Sequence, residues 1–231
     1  MSIPPKRAPL KRTQHRVEHN SPEHFAMRLG WPNSSCFDHI LTSKRAEPSR
    51  QRKPYMRRLN AENIANEQLE DEEYRSRWME RGQEWEDPSV AAYEMLMDRE
   101  TSPGGYWTIE IGGGRAGCSP DRLIGEDGVL EIKAPLLSTQ VAGALDGVEV
   151  NHICQIQGLL WITDRQWLDL FSFHPLLVLP PKRILRDEEF IEKLEEAVKE
   201  FIEEMLRERI DLEREHGPFL RMRQEEVGRH G

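Results

Sequence analysis

The stretch Ser119–Lys133 constrains this chain more than any other. It reads Ser119-Pro120-Asp121, then nine residues, then Glu131-Ile132-Lys133, with Gly125-Glu126-Asp127-Gly128 in between. The Gly/Asp cluster is a hairpin signal, and Val129–Lys133 beyond it is a predicted strand. In this reading Asp121 ends one strand and the chain turns at Gly125–Gly128. Residues two apart share a face of a strand, so Glu131 and Lys133 point the same way. The hairpin brings Asp121 beside them. Leu130 and Ile132 hold the strand in a core, so the charged side must open into a cleft.

Two clustered carboxylates are costly unless a cation neutralises them. Oxygen ligands suit Mg²⁺ or Mn²⁺, and the Ile132 carbonyl is a further candidate ligand. A divalent cation beside a lysine suits phosphodiester hydrolysis, with Lys133 positioning the attacking water. For so loose a spacing the plain alternative is a surface strand with an ordinary Glu–Lys pair. The proline before Asp121, the Gly/Asp turn and the apolar neighbours of Glu131 favour the metal site. Cys118 is not read as a nucleophile, because no basic partner is evident and in a strand it faces away from Ser119.

Charge is divided unevenly. Residues 1–58 hold 13 Lys/Arg against 4 Asp/Glu, and the remainder holds 19 against 37. A net charge of −9 argues against a general nucleic-acid coat. A basic arm and an acidic remainder suggest two surfaces with two partners, one of them a polyanion. The alternative is a solvated basic tail with salt-bridged acidic helices. Cys36, Cys118 and Cys154 form no CxxC pair. That excludes a disulfide framework or zinc ribbon and fits a reducing cytoplasm. No apolar run approaches the ~18 residues of a membrane helix, and no secretory h-region is visible.

Residues 1–20 are polar and read as a flexible basic tail. Residues 21–231 read as one α/β domain. Ser21-Pro22-Glu23 starts a helix that carries Arg28 and ends near Gly30. Asn33-Ser34-Ser35 opens another, and residues 44–54 read as a mobile basic loop. Residues 60–80 and Gly82–Asp98 have helical patterns, the first with an acidic cluster at Glu70–Glu73. Ser102–Gly105 reads as a loop. Strands are predicted over Tyr106–Ile111, Ala116–Ser119, Leu123-Ile124, Val129–Lys133, Trp167–Phe173 and Leu176–Leu179. Helices are predicted over 138–147, 151–162 and 187–214, the last strongly acidic.

Ser-Pro-Asp followed by Leu-Glu-Ile-Lys-Ala-Pro resembles the PD-(D/E)xK nuclease core. More closely, the chain resembles the lambda-exonuclease or YqaJ-type viral recombinase branch. Three further segments occur in that branch's order. They are Arg28-Leu29-Gly30 followed by Ser35, then Arg81-Gly82-Gln83-Glu84-Trp85-Glu86 with Ala91-Ala92-Tyr93-Glu94, then Gln155-Ile156-Gln157-Gly158-Leu159-Leu160-Trp161-Ile162-Thr163. The resemblance covers about residues 24–173.

It implies a restriction-endonuclease-like fold, a central mixed β-sheet flanked by helices. It implies a Mg²⁺-dependent 5′-to-3′ exonuclease on double-stranded DNA ends, releasing mononucleotides and leaving 3′ overhangs for strand annealing. Asp121, Glu131 and the Ile132 carbonyl correspond to metal ligands, Lys133 to the water-positioning residue, and Glu86 to a helix carboxylate bordering the metal. Arg28, Ser35, Ser119 and Gln155 match positions that hold the 5′-phosphate. Asp87 and Gln157 are rivals to Glu86 and Gln155. A homotrimer ring, a single-strand annealing protein as partner and a phage-type protein in a bacterial cytoplasm are further implications. His152 stands where the family commonly has an aromatic. The basic residues Arg45, Arg50, Arg52, Lys53, Arg57 and Arg58 either meet duplex phosphates or are simply solvated. An endonuclease on the same core and a non-catalytic DNA-end-binding scaffold are the alternatives.

Overall fold

The computed structural model describes residues 10–69, 72–148, 150 and 152–227, with side chains omitted at 72–84 and 218–227. The described residues fold into a mixed five-stranded sheet, a three-stranded antiparallel sheet and six α-helices. The site hangs on the first sheet. Its order is β2 (Ser102–Pro103), β5 (Arg122–Ile124), β6 (Gly128–Lys133), β7 (Trp167–Ser172), β8 (Lys182–Leu185). β6 and β7 run parallel and the other pairs antiparallel. A parallel pair needs a long crossover. Helices α4 (Leu137–Asp146) and α5 (Ile153–Thr163) supply it.

β6 shows the period-2 logic directly. Val129 packs into the main core with α5, while Leu130 joins a second cluster with Tyr93, Ile124, Phe171 and Phe173 beneath α3 (Glu72–Met97). Glu131 follows Val129 on its face. α5 is buried from Ile156 to Thr163 and is the central helix of the fold. Against it lies α6 (Glu188–Val227), whose Ile191, Leu194, Val198, Phe201, Ile202 and Met205 form one buried stripe at helical spacing.

Gly158 in α5 has a packing reason. A Cβ there would stand 2.7 Å from the Phe37 ring and 3.2 Å from Ser34 Cβ. Its absence lets the 3-10 turn Ser34–His39 lie directly on α5, which brings Ser35 towards Gln155. Gly117, in β4 (Gly114–Cys118), serves likewise: a Cβ would meet the Tyr106 hydroxyl at 2.0 Å.

Several expectations are corrected. Within residues 1–20, β1 (Arg12–His15) is an ordered strand, pairing with Tyr106–Ile109 of β3 (Tyr106–Ile111). Residues 1–9 lie outside the described residues. The loop expected over 44–54 ends early, because α2 (Arg52–Ala65) starts at Arg52. Pro54 falls in its first turn, where a missing N–H costs nothing. The helical pattern of 60–80 is interrupted at Asn66, in the left-handed region at φ 55°. Residues 70 and 71 of the acidic cluster lie outside the described residues. Asp121 sits in a bend ahead of β5 rather than at a strand's end, and Ser102–Pro103 is a short strand rather than loop. The last strand forms at Lys182–Leu185, not Leu176–Leu179. Pro180 and Pro181 explain the shift: neither can donate to a ladder, so pairing begins after them.

Candidate active site

A cavity of about 420 Å³ opens at the C-terminal end of β6, lined by Arg28, Ser35, Glu86, Ser119, Asp121, Glu131, Ile132, Lys133 and Gln155. His19, Asn20, Asn33, Ser34 and Ala134 complete its lining. Every sequence-predicted site residue therefore reaches one space. Both rivals face elsewhere. Asp87 is exposed and outside the cavity lining. Gln157 is buried, donating to the Leu185 carbonyl (3.0 Å) and accepting from Asp187 N–H (2.9 Å).

The acidic wall is held by the hairpin. Past Leu130, the partner of Arg122, β5 no longer covers β6. Asp121 takes over that edge: its Oδ2 accepts from the Ile132 N–H at 2.7 Å. The N–H and C=O of one strand residue point to the same edge, so the Ile132 carbonyl opens on the Asp121 side. Glu131 Oε1 accepts from Lys133 Nζ and from Gln155 Nε2, both at 2.8 Å. Glu131 Oε2 is buried and has no hydrogen-bond partner among the described residues. A buried, orphaned carboxylate oxygen is costly and calls for a cation. Burial, and then the charge of Glu131, push the Asp121 carboxyl well above its ordinary pKa. Glu131 also raises the pKa of the Lys133 ammonium, which stays charged.

These features fit a hard divalent cation held by Asp121, Glu131 and the Ile132 carbonyl. Among the described residues no three His, Cys, Asp or Glu side chains could hold an ion by themselves. Glu86, half-buried on α3, borders the space.

The opposite wall carries donors. Arg28, in the last turn of α1 (Pro22–Arg28), makes no ion pair among the described residues and donates to Ser35 Oγ at 3.4 Å. Ser35 Oγ lies 3.5 Å from Asn33 Oδ1, and buried Asn33 is fixed by Tyr55 and Tyr106 hydroxyls. His24 contacts Ser119 Oγ at 2.7 Å. Sequence reasoning missed His24, as it missed Asn33. The helix start at Ser21 placed His24 on α1, but nothing in the chain showed what it would meet.

The sequence profile of the YqaJ-like viral recombinase domain matches residues 23–166. The chain belongs to the YqaJ-like viral recombinase family. No curated protein matches it. Among solved structures, this YqaJ-like chain resembles an alkaline exonuclease (LHK-Exo) from Laribacter hongkongensis, alone and in complex with dAMP. Each shows 28% identity and a TM-score of 0.73, covering 86% of this chain and 100% of the other. A phage-related exonuclease from Haemophilus somnus 129PT shares the fold at 13% identity and a TM-score of 0.54, covering 77% of this chain and 96% of the other. The nuclease-type mixed sheet flanked by helices is therefore the fold of this YqaJ-like protein. Among the described residues no helix is long and apolar enough to cross a membrane.

Proposed function

We propose that this protein is a Mg²⁺-dependent exonuclease of recombination that enters at double-stranded DNA ends and degrades the 5′-ended strand to mononucleotides. One observation carries the reading: a single cavity sets a buried carboxylate oxygen and a charged lysine across from an arginine with hydroxyl and amide donors, the oxygen having no hydrogen-bond partner and the arginine no ion pair among the described residues. The likeness to an alkaline exonuclease supports it.

Each residue then has a role. Arg28, Ser35, Ser119 and Gln155 hold the terminal 5′-phosphate, a guanidinium matching phosphate oxygens bidentately. Asp121, Glu131 and the Ile132 carbonyl hold the cation, Mg²⁺ or Mn²⁺. When bound, the cation polarises the scissile phosphate and lowers the pKa of water. Lys133 orients the attacking water and balances charge developing on the phosphate. Glu86 takes hydrogen bonds from waters at the cavity edge. Water adds to phosphorus and the bond to the 3′-oxygen of the terminal nucleotide breaks. The mononucleotide leaves, and the shortened strand carries a new 5′-phosphate. Each cut thus regenerates the group the donor wall holds, and a 3′ overhang grows on the other strand.

The same reading takes a single-strand annealing protein as partner, a three-copy ring as the assembly and a bacterial host cytoplasm as the setting. A ring reconciles acidic surfaces with DNA binding, since a channel can be basic while the outside is acidic.

The test is digestion of a linear duplex with one 5′-phosphorylated and one 5′-hydroxyl end, beside a closed circle. Nucleotide release mainly from the phosphorylated strand, lost with EDTA and in Lys133→Ala, is expected. Cutting of the circle moves the protein to the endonucleases. DNA binding without a metal-dependent product leaves a scaffold.

A further inference from the structure

We propose that His24, locked in one tautomer by the segment ahead of α1, sets the Ser119 hydroxyl as a hydrogen-bond donor to the anion in the cavity. The inference rests on the 5′-phosphate reading and adds a positioning residue to it.

His24 is 1% exposed, and its two ring nitrogens have different partners. The Asn20 N–H donates to Nδ1 at 3.3 Å. A nitrogen that accepts carries the lone pair, so in the neutral ring the proton sits on Nε2. Nε2 lies 2.7 Å from Ser119 Oγ and must donate to it. The ring is neutral: burial, then the charge of Arg28, pushes the His24 pKa down to about 4. The Ser119 oxygen is thus occupied as an acceptor on the His24 side. Its own hydrogen cannot point back at a donor, and Ser119 lines the cavity. The hydroxyl proton is left to point at whatever the cavity holds. An anion needs donors, and the opposite tautomer would draw the Ser119 proton away from it.

The lock is built by the N-terminal segment. β1 pairs Arg12–His15 with β3, and the chain then returns to the cavity, where Asn20 adopts the left-handed conformation at φ 62°. Edge contacts from His19 (4.9 Å) and Tyr106 (5.5 Å) fix the ring plane of His24. Residues 12–20 precede the segment that the family profile matches, so this wall of the cavity is not part of that match.

The experiment compares kcat/KM on 5′-phosphate and 5′-hydroxyl duplex ends. A hydrogen bond to a charged group corresponds to about a ten- to hundredfold effect. Ser119→Ala and His24→Phe should each reduce the phosphate preference by about that factor. The double variant should lose no more than either single one, because one interaction is removed twice. His24→Gln, whose amide can donate from the position of Nε2, should restore the preference. An equal loss on both ends in His24→Phe would mark a merely structural role and overturn the relay. So would a preference kept intact in His24→Phe. A wild-type protein with no preference overturns the phosphate reading itself. Nitrogen-15 NMR of the wild-type imidazole needs no variant: a proton on Nε2 is expected, and a proton on Nδ1 overturns the proposal.

Discussion

The acidic wall of the cavity comes mostly from one stretch, Asp121–Lys133, whereas the donor wall draws Arg28, Ser35, Ser119 and Gln155 from four separate places in the chain. The first is carved from the β5–β6 hairpin inside the main sheet, where backbone pairing fixes each side chain. The second is assembled from a short helix, a 3-10 turn, the segment just past β4 and the start of α5, brought together by close approaches at Gly117 and Gly158. A wall made by local pairing fails through its chemistry. A wall made by tertiary packing can also fail through its supports.

The largest effect should fall on the acidic wall. Lys133→Ala removes the charged donor beside Glu131, and nucleotide release should drop by roughly 10²–10³-fold, the usual cost of losing one preorganised donor. Circular dichroism and melting should stay close to wild type, since Lys133 is half-exposed. A loss smaller than about fivefold would break the comparison at its first side.

His24 tests the supports of the other wall through stability. Its pKa falls from 6.5 to about 4 on folding. A buried neutral histidine is fully compatible with the fold above its unfolded pKa. As pH drops from 6.5 towards 4 the unfolded chain takes up a proton that the native state refuses, so stability falls. A shift of this size corresponds to about 3 kcal/mol at full development. Urea unfolding at pH 7 and pH 4.5 should show a drop in wild type that is smaller in His24→Gln. Equal drops in both proteins would contradict it.

Arg28→Ala comes next. It should lower kcat/KM on 5′-phosphorylated ends by about ten- to a hundredfold, with a smaller effect on hydroxyl ends. Arg28→Lys should recover only part of this, because an ammonium lacks the bidentate fork. Full recovery would mean that charge alone matters.

Gln155 and Gln157 sharpen the comparison further, being two residues apart on one helix. Gln155→Ala should cost about tenfold in activity with little change in melting, since its amide meets Glu131. Gln157→Ala should leave nucleotide release per folded molecule near wild type but cost about 1–3 kcal/mol of stability, because it orphans the Leu185 carbonyl and the Asp187 N–H.

Those two glutamines also show what a sequence can reveal. The helix was legible from its apolar pattern, and residues two apart cannot share a helix face. Which face met the site depended on α6 and β8, far along the chain. Asp121, Glu131 and Lys133 were legible because a turn signal and a period of two place them without long-range information. β1 was not, because four polar residues become a strand only when Tyr106–Ile109 offers an edge. The role of His24 was equally hidden, resting on a backbone N–H at Asn20 and a hydroxyl at Ser119 that only the folded chain brings together.

The smallest effects should come from the basic residues around the loop, which the fold sorts into two groups. Arg52 and Lys53 pair with Glu204, and Lys53 also with Glu208 (2.5 Å), so their charges are spent on docking α2 to α6. Arg58 lies over the Tyr55 ring. Arg45, Arg50 and Arg57 are exposed and make no ion pair among the described residues. If they meet duplex phosphates, each change to alanine should weaken DNA binding less than about tenfold and reduce the slope of log affinity against log salt by about one. Arg52→Ala should leave that slope alone and cost about 1 kcal/mol or less in stability. A slope unchanged in all three exposed variants would make the loop a solvated one. A slope reduced in Arg52→Ala would mean that DNA draws this arginine away from Glu204, coupling the acidic helix to the substrate path.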